Sequence, residues 1–167
     1  MKNRFMQIIV GTFLGLLMLF GGTQLVSAQV GEVRERIEGV WRVTITPRNC
    51  VTGVPIPTAA FAALFTFHKG GTLSVSLQNS TTTITRSPGH GLWQREDGGG
   101  GYSFKFVHLR FDVATGAFLA SQVARGTLQY SERRDEFTTD SSTTSFDMNG
   151  VSIPGMGCSN AVGTRFE

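Results

Sequence analysis

The chain has little charge, few cysteines and, beyond its N-terminal segment, no stretch with a helical period. Charged residues make up 16% of the 167, and only two residues are cysteine. Nucleic-acid binding needs a clustered basic stripe. None exists, since the basic pair Arg133-Arg134 is flanked by Glu132, Asp135 and Glu136. The formal net charge of +3 overstates the basicity, because removing Lys2 and Arg4 with the N-terminal segment leaves 13 basic residues against 12 acidic ones. Two cysteines without neighbouring histidines make a poor zinc set. No Gly-x-Ser-x-Gly elbow presents a nucleophilic serine. The glycines at 98–101 lack the Lys-Ser/Thr and the helix that a phosphate loop needs. His68, His90 and His108 lie on separate segments, and Asp97, Asp112, Asp135 and Asp147 fall at strand ends or turns, where Asp bonds its local backbone. No catalytic residue, metal site or cofactor is expected from these patterns.

There is one long hydrophobic run. Lys2 and Arg4 precede an uncharged stretch from Phe5 to Gly22, and Val26-Ser27-Ala28 follows. A basic start, an apolar middle and a small-residue site describe a signal peptide over residues 1–28, cut after Ala28; an uncleaved anchor is the alternative. The expected location is secreted or periplasmic, with membrane contact only during export. Residues 29–38 are charged and read as a leader, and residues 39–167 as one domain. An exported domain with two cysteines favours a Cys50–Cys158 disulfide. Closing so long a loop is worth roughly 4–5 kcal/mol in the chain-entropy model.

From Gly39 onward the pattern has period two. Trp41, Val43 and Ile45 alternate with Arg42, Thr44 and Thr46 until Pro47, which is expected to stop the strand. Phe61, Ala63, Phe65 and Phe67 share one face, Gly70-Gly71 turns the chain, and Leu73, Val75 and Leu77 return it as a hairpin. A Thr-rich stretch, 80–86, ends at a break over Ser87–Gly91. Tyr102 to Asp112 is apolar on both faces, which suggests cover on both sides. Residues 117–131 and 136–148 continue the series, Asn149-Gly150 turns, and a last run spans Cys158 to Phe166. About eight strands joined by tight turns predict an all-β fold. An up-and-down antiparallel barrel is favoured, with a two-sheet sandwich as the alternative.

A meander leaves two edges, and pairing its first strand with its last removes both. Placing Trp41 opposite Arg165 also puts position 48 opposite Cys158, so Cys50 lies just past that strand end. Gly39-Val40-Trp41 resembles the Gly-x-Trp motif of lipocalins and related calycins. The resemblance implies a Trp closing one barrel end under an Arg near the last strand, a place that Arg165 would fill. Gly39, Trp41 and Arg165 are thus the expected closing residues. The lipocalin Thr-Asp-x-x-Tyr motif is absent and no helix is expected after Glu167, so the resemblance implies a simplified calycin-like barrel. Gly89-His90-Gly91-Leu92-Trp93 also resembles a loop of secreted bacterial proteins, a likeness that brings no activity with it.

The aromatic residues exceed what a minimal core needs. Phe65, Phe67, Phe104, Phe106, Phe118 and Tyr130 are candidates to line a cavity for one small hydrophobic molecule, as calycins do. Small residues on the same strands (Ala63, Ala120, Ala124 and Gly126) would leave room for it. The competing expectations are a solid barrel packed by these side chains, serving as a structural or interaction protein of the cell envelope, and a barrel enzyme such as an isomerase using His90, His108 and an Asp.

Overall fold

Alternating side chains give strands whose two faces differ, and the computed structural model, which describes residues 36–78, 83–97, 101–131, 133 and 135–166, arranges nine of them in one sheet. They are β1 (Gly39–Arg48), β2 (Phe61–Phe67), β3 (Thr72–Leu77), β4 (Ile84–Arg86), β5 (Gly89–Arg95), β6 (Gly101–Asp112), β7 (Phe118–Ser131), β8 (Glu136–Phe146) and β9 (Ser152–Arg165). The only helix among the described residues is a single 3-10 turn over Pro57–Ala59. The segment expected to be a signal peptide, most of the leader and part of the glycine run at 98–101 lie outside the described residues.

All pairings are antiparallel. β4 and β5 both lie along β6, so nine strands occupy eight positions around the sheet. β1 then pairs with β9 from Trp41↔Arg165 to Arg48↔Cys158 and closes the barrel. An eight-stranded antiparallel barrel is therefore the fold, and the sandwich alternative is set aside because one continuous sheet returns to its own first strand.

Three strand limits differ from the periodicity reading, each for a local reason. Pro47 does not stop β1. By that point the strand has left β2, whose pairing ends at Ile45↔Phe61; the β9 ladder continues, and the other edge meets only the following loop through a single Arg48↔Pro55 bridge. A proline where β2 has left the edge removes no β1–β2 ladder hydrogen bond, and the Pro47 carbonyl accepts from the Ile56 N–H at 2.8 Å. β9 begins at Ser152 rather than Cys158. Its Pro154-Gly155 pair is absorbed where the β8–β9 register shifts beside Thr144/Ser145, with Gly155 at φ 111. The break at residues 87–91 shrinks to Ser87-Pro88. The β4–β6 and β5–β6 registers differ by one residue there, and Ser87 bridges the gap: its N–H donates to the Leu109 carbonyl and its Oγ accepts from the Leu109 N–H, both at 2.9 Å. This is a β-bulge, which reverses the side-chain alternation along the strand.

The leader also reaches the core. Ile37 is 0% exposed, and its carbonyl accepts the Trp41 Nε1–H at 2.8 Å. Gly39, between them, has φ 128, a backbone conformation that L side chains rarely adopt. The glycine thus lets the chain turn from Ile37 into β1. The outer face of β6 is less covered than its apolar pattern suggests, since Val107 and Leu109 are exposed.

Candidate functional site

The barrel interior changes character along its length. At the end holding Trp41 it is solid: Trp41, Phe67, Phe137, Ile37, Leu73 and Leu128 are its largest fully buried side chains. Trp41 and Phe137 rings lie 5.0 Å apart, and Phe67 meets both Phe137 and Trp93 edge-on at 5.9 and 6.0 Å. Phe137 fits because its neighbour on β9 is Gly163, where an added Cβ would overlap the phenyl ring. Burying each such aromatic side chain contributes about 1.5–3 kcal/mol, so this half of the interior holds the fold together.

Polar groups seal the same end. The Arg165 guanidinium lies 4.3 Å from the Trp41 ring centroid. Its Nε donates to both Asp135 oxygens at 2.9 and 2.8 Å, and Nη1 and Nη2 donate to the carbonyls of Glu38 and Arg36 at 2.9 and 2.7 Å. Asp135 also accepts from the Tyr130 hydroxyl at 3.0 Å. These bonds, the one from Arg165 first, hold the Asp135 carboxyl below its ordinary range.

Toward the other end the packing opens into a cavity of about 70 Å³. Its apolar wall includes Ile45, Phe61, Phe65, Phe104, Phe106 and Ala124, while β8 and β9 contribute hydroxyls from Thr139, Ser141, Thr143 and Ser159. Ser141 and Ser159 bond each other across the wall at 2.9 Å. At the mouth stand Arg86 and His108. His108 is 5% exposed, its ring lies 6.3 Å from Phe106, and its Nδ1 has no hydrogen-bond partner among the described residues. Burial, then the charge of Arg86, pushes its pKa down to about 4, so it is neutral at pH 7.

The six lining candidates separate into three places. Phe65, Phe104 and Phe106 face the cavity, with Phe65 edge-on to Phe104 and Phe106 at 6.3 and 5.8 Å. Phe67 and Tyr130 belong to the solid end. Phe118 stands apart: the β6–β7 register shifts beside Arg110/Phe111, and Phe118 pairs with Phe111, their rings 6.1 Å apart. Phe111 continues the outward row of Val107 and Leu109, so Phe118 packs on the outside of the wall. Arg86 and His108 also line the cavity; neither is among the six lining candidates, and His108 enters the sequence reading only through the barrel-enzyme alternative.

The remaining groups form no joint site. His90 pairs with Val107 on the outward face and is exposed, whereas His108 points inward. Asp112 binds its own turn, accepting from the Thr115 N–H and Oγ1–H at 2.8 Å each. Among the described residues no three His, Cys, Asp or Glu side chains gather as a metal set. The disulfide joins Cys50 to Cys158 with their Cα atoms 5.2 Å apart, at the strand end opposite the Trp41 seal. Disulfides persist in oxidising compartments.

No known family matches. Comparison with family models, curated proteins and solved structures gives no counterpart for the chain. The likeness to calycins therefore rests on the closed barrel and on the Gly39, Trp41 and Arg165 corner.

Proposed function

We propose that the protein is an exported barrel that binds one small, largely apolar molecule in the open half of its interior. The observation that carries this reading is the asymmetry of the core. One half is packed solid by aromatic side chains, while the other leaves a cavity of about 70 Å³ walled by Phe65, Phe104 and Phe106. A solid barrel would fill both halves. A pocket for a drug-sized ligand is about 300–1,000 Å³, whereas this cavity suits a molecule with a handful of heavy atoms. Export is supported by the basic, apolar and small-residue sequence of the first 28 residues and by the Cys50–Cys158 disulfide.

The test is a titration of the oxidised protein with 1-hexanol, followed by methyl NMR. Saturable shifts at Ile45, Leu77, Ala124 and Ala161, which line the cavity, are expected.

A second reading, an interaction protein of the cell envelope, has its own observation. Val51, Val54, Met148 and Val151, on the two loops at the open end, are 60–94% exposed. Binding confined to those loops would favour it. The isomerase reading is not carried forward, because His90 and His108 stand on opposite faces of the wall.

A further inference from the structure

The two ends of the barrel differ in charge. The turns at the Trp41 end carry Lys69, Glu96, Asp97, Arg133 and Asp135. The described loops at the opposite end are uncharged between their strands: residues 49–60 after β1, residues 113–117 between β6 and β7, and residues 148–151 before β9 contain no charged side chain. Their exposed side chains are apolar instead, with Val51, Val54, Ile56, Val113, Met148 and Val151 45–94% exposed. Single exposed apolar residues are ordinary, but six gathered at one end form a patch of the kind that marks an interaction site.

The backbone of these loops points to what the patch meets. Water or a protein partner can satisfy an open N–H, whereas hydrocarbon cannot, so backbone that enters lipid must satisfy itself. In residues 49–60 the N–H groups of Asn49 and Gly53 donate to the carbonyls of Val54 and Asn49, both at 2.9 Å, and those of Val51 and Thr52 donate to Asn49 Oδ1 at 2.8 and 2.9 Å. The Val54 N–H donates to Thr52 Oγ1 at 3.4 Å and the Ile56 N–H to the Pro47 carbonyl at 2.8 Å, while Pro55 and Pro57 have no N–H to satisfy. The other two loops repeat the device with an aspartate in the place of Asn49. Asp147 Oδ1 accepts from the N–H groups of Asn149 and Val151 at 2.9 and 2.8 Å. Asp112 Oδ1 accepts from the Thr115 N–H at 2.8 Å, and the Val113 N–H donates to the Thr83 carbonyl at 3.0 Å. Both carboxylates are thus turned onto their own loops. The Cys50–Cys158 disulfide ties the first loop to β9.

We propose that the open end of the barrel docks on a phospholipid bilayer, with Val51, Val54, Ile56, Val113, Met148 and Val151 set into the boundary between headgroups and acyl chains. The charge pattern complements that boundary: the uncharged loops enter the lipid and the charged end stays in water. Interfacial segments bind in proportion to the apolar area they bury, with attraction to anionic lipid added where they are basic. The three loops carry no cation, so apolar burial supplies the affinity, and binding to neutral lipid persists at high salt. This contact is additional to the one expected during export and does not depend on the ligand reading. Docked in this way, the barrel turns the open half of its interior toward the bilayer.

The experiment is sedimentation of the oxidised protein with phosphatidylcholine vesicles at low and high salt, beside the double variant Val51→Asp and Val151→Asp. Both side chains are exposed, so the variant should fold with an unchanged melting temperature, and its vesicle partitioning should fall at least about tenfold. Leu92→Asp, at a similarly exposed position on the outer wall of β5, should leave partitioning as it is. In bicelles carrying a spin-labelled lipid, the methyl signals of Val51, Val54, Val113 and Val151 should broaden while those of Leu73 and Leu128 do not. That broadening is read on the wild type and decides the question even if the double variant does not fold. No partitioning into vesicles would overturn the proposal and leave the loops to a protein partner. Partitioning that the double variant shares with the wild type would overturn it too, because another part of the chain would then be responsible. Loss of binding on raising the salt would do the same, by making the contact electrostatic.

Discussion

Trp41 and Arg165 face each other as antiparallel partners across the seam that closes the barrel, and the guanidinium lies over the indole at 4.3 Å. One residue thus joins the last strand to the first, to the β7–β8 turn through Asp135, and to the segment before β1 through the carbonyls of Arg36 and Glu38. Arg165→Ala removes the stacking and leaves those carbonyls to water. It should lower stability by about 2–3 kcal/mol, from a cation–π contact of about 0.5–2 kcal/mol together with charge-assisted bonds. Arg165→Lys keeps the charge but not the fork, and should recover less than half. Urea unfolding of the three proteins checks the order.

The second seam is covalent. Cys50 and Cys158 are 108 residues apart in sequence, so the bridge constrains most of the unfolded domain. The double change Cys50→Ala and Cys158→Ala should cost about 4–5 kcal/mol in the chain-entropy model. Reducing the native protein should cost a similar amount. Guanidinium midpoints with and without reductant give the comparison.

Gly163 makes room for Phe137. Gly163→Ala places a methyl group where the phenyl ring sits and should destabilise the barrel by about 1–3 kcal/mol through overpacking. Adding Phe137→Leu should recover part of that loss, although Phe137→Leu alone is itself destabilising. A positive coupling in the double-mutant cycle is the expected signature; additive losses would separate the two residues.

His108 makes stability depend on pH. Its folded pKa, about 4, lies below the unfolded value, so the unfolded chain binds the proton more readily. Its contribution is complete above about pH 6.5 and is lost as the pH falls toward 4, in total on the order of 3 kcal/mol. Asp135 acts in the same direction at lower pH: its depressed carboxyl stabilises the fold above the unfolded pKa of about 3.9 and ceases to do so as the pH falls through the folded value. His108→Gln should flatten the curve between pH 6.5 and 4 and leave the steeper acid limb in place. Thermal melts across that range measure it.

Much of the architecture was legible because one physical signal dominated it. Alternation in Trp41–Ile45 and Leu73–Leu77 marks half-buried strands, and the pairing of Trp41 with Arg165 follows once both sheet edges must be removed. The disulfide sits where that register places it. Features escaped notice where a single residue reversed the alternation or a residue type was read by its usual habit. Pro154 and Gly155 conceal the start of β9 because prolines and glycines ordinarily end strands. Ile37 stands alone in a charged segment, and periodicity cannot assign a single apolar residue to the core. Phe118 lies beyond a register shift that carries it to the outer wall. Arg86 was missed because a strand arginine is normally solvated and because the bulge at Ser87-Pro88 is invisible to a period-two count. His108 was accessible to closer reading as a lining residue, since it shares parity with Phe104 and Phe106.

The claim at the centre of this account is that the open half of the barrel holds a small ligand. Methyl NMR of the oxidised protein during a 1-hexanol titration tests it most directly. The account predicts saturable shifts at Ile45, Leu77, Ala124 and Ala161, with Leu73 and Leu128 in the solid half unmoved. Shifts confined to Val51, Val54 and Val151 on the outer loops, or no shifts at any concentration, would contradict it.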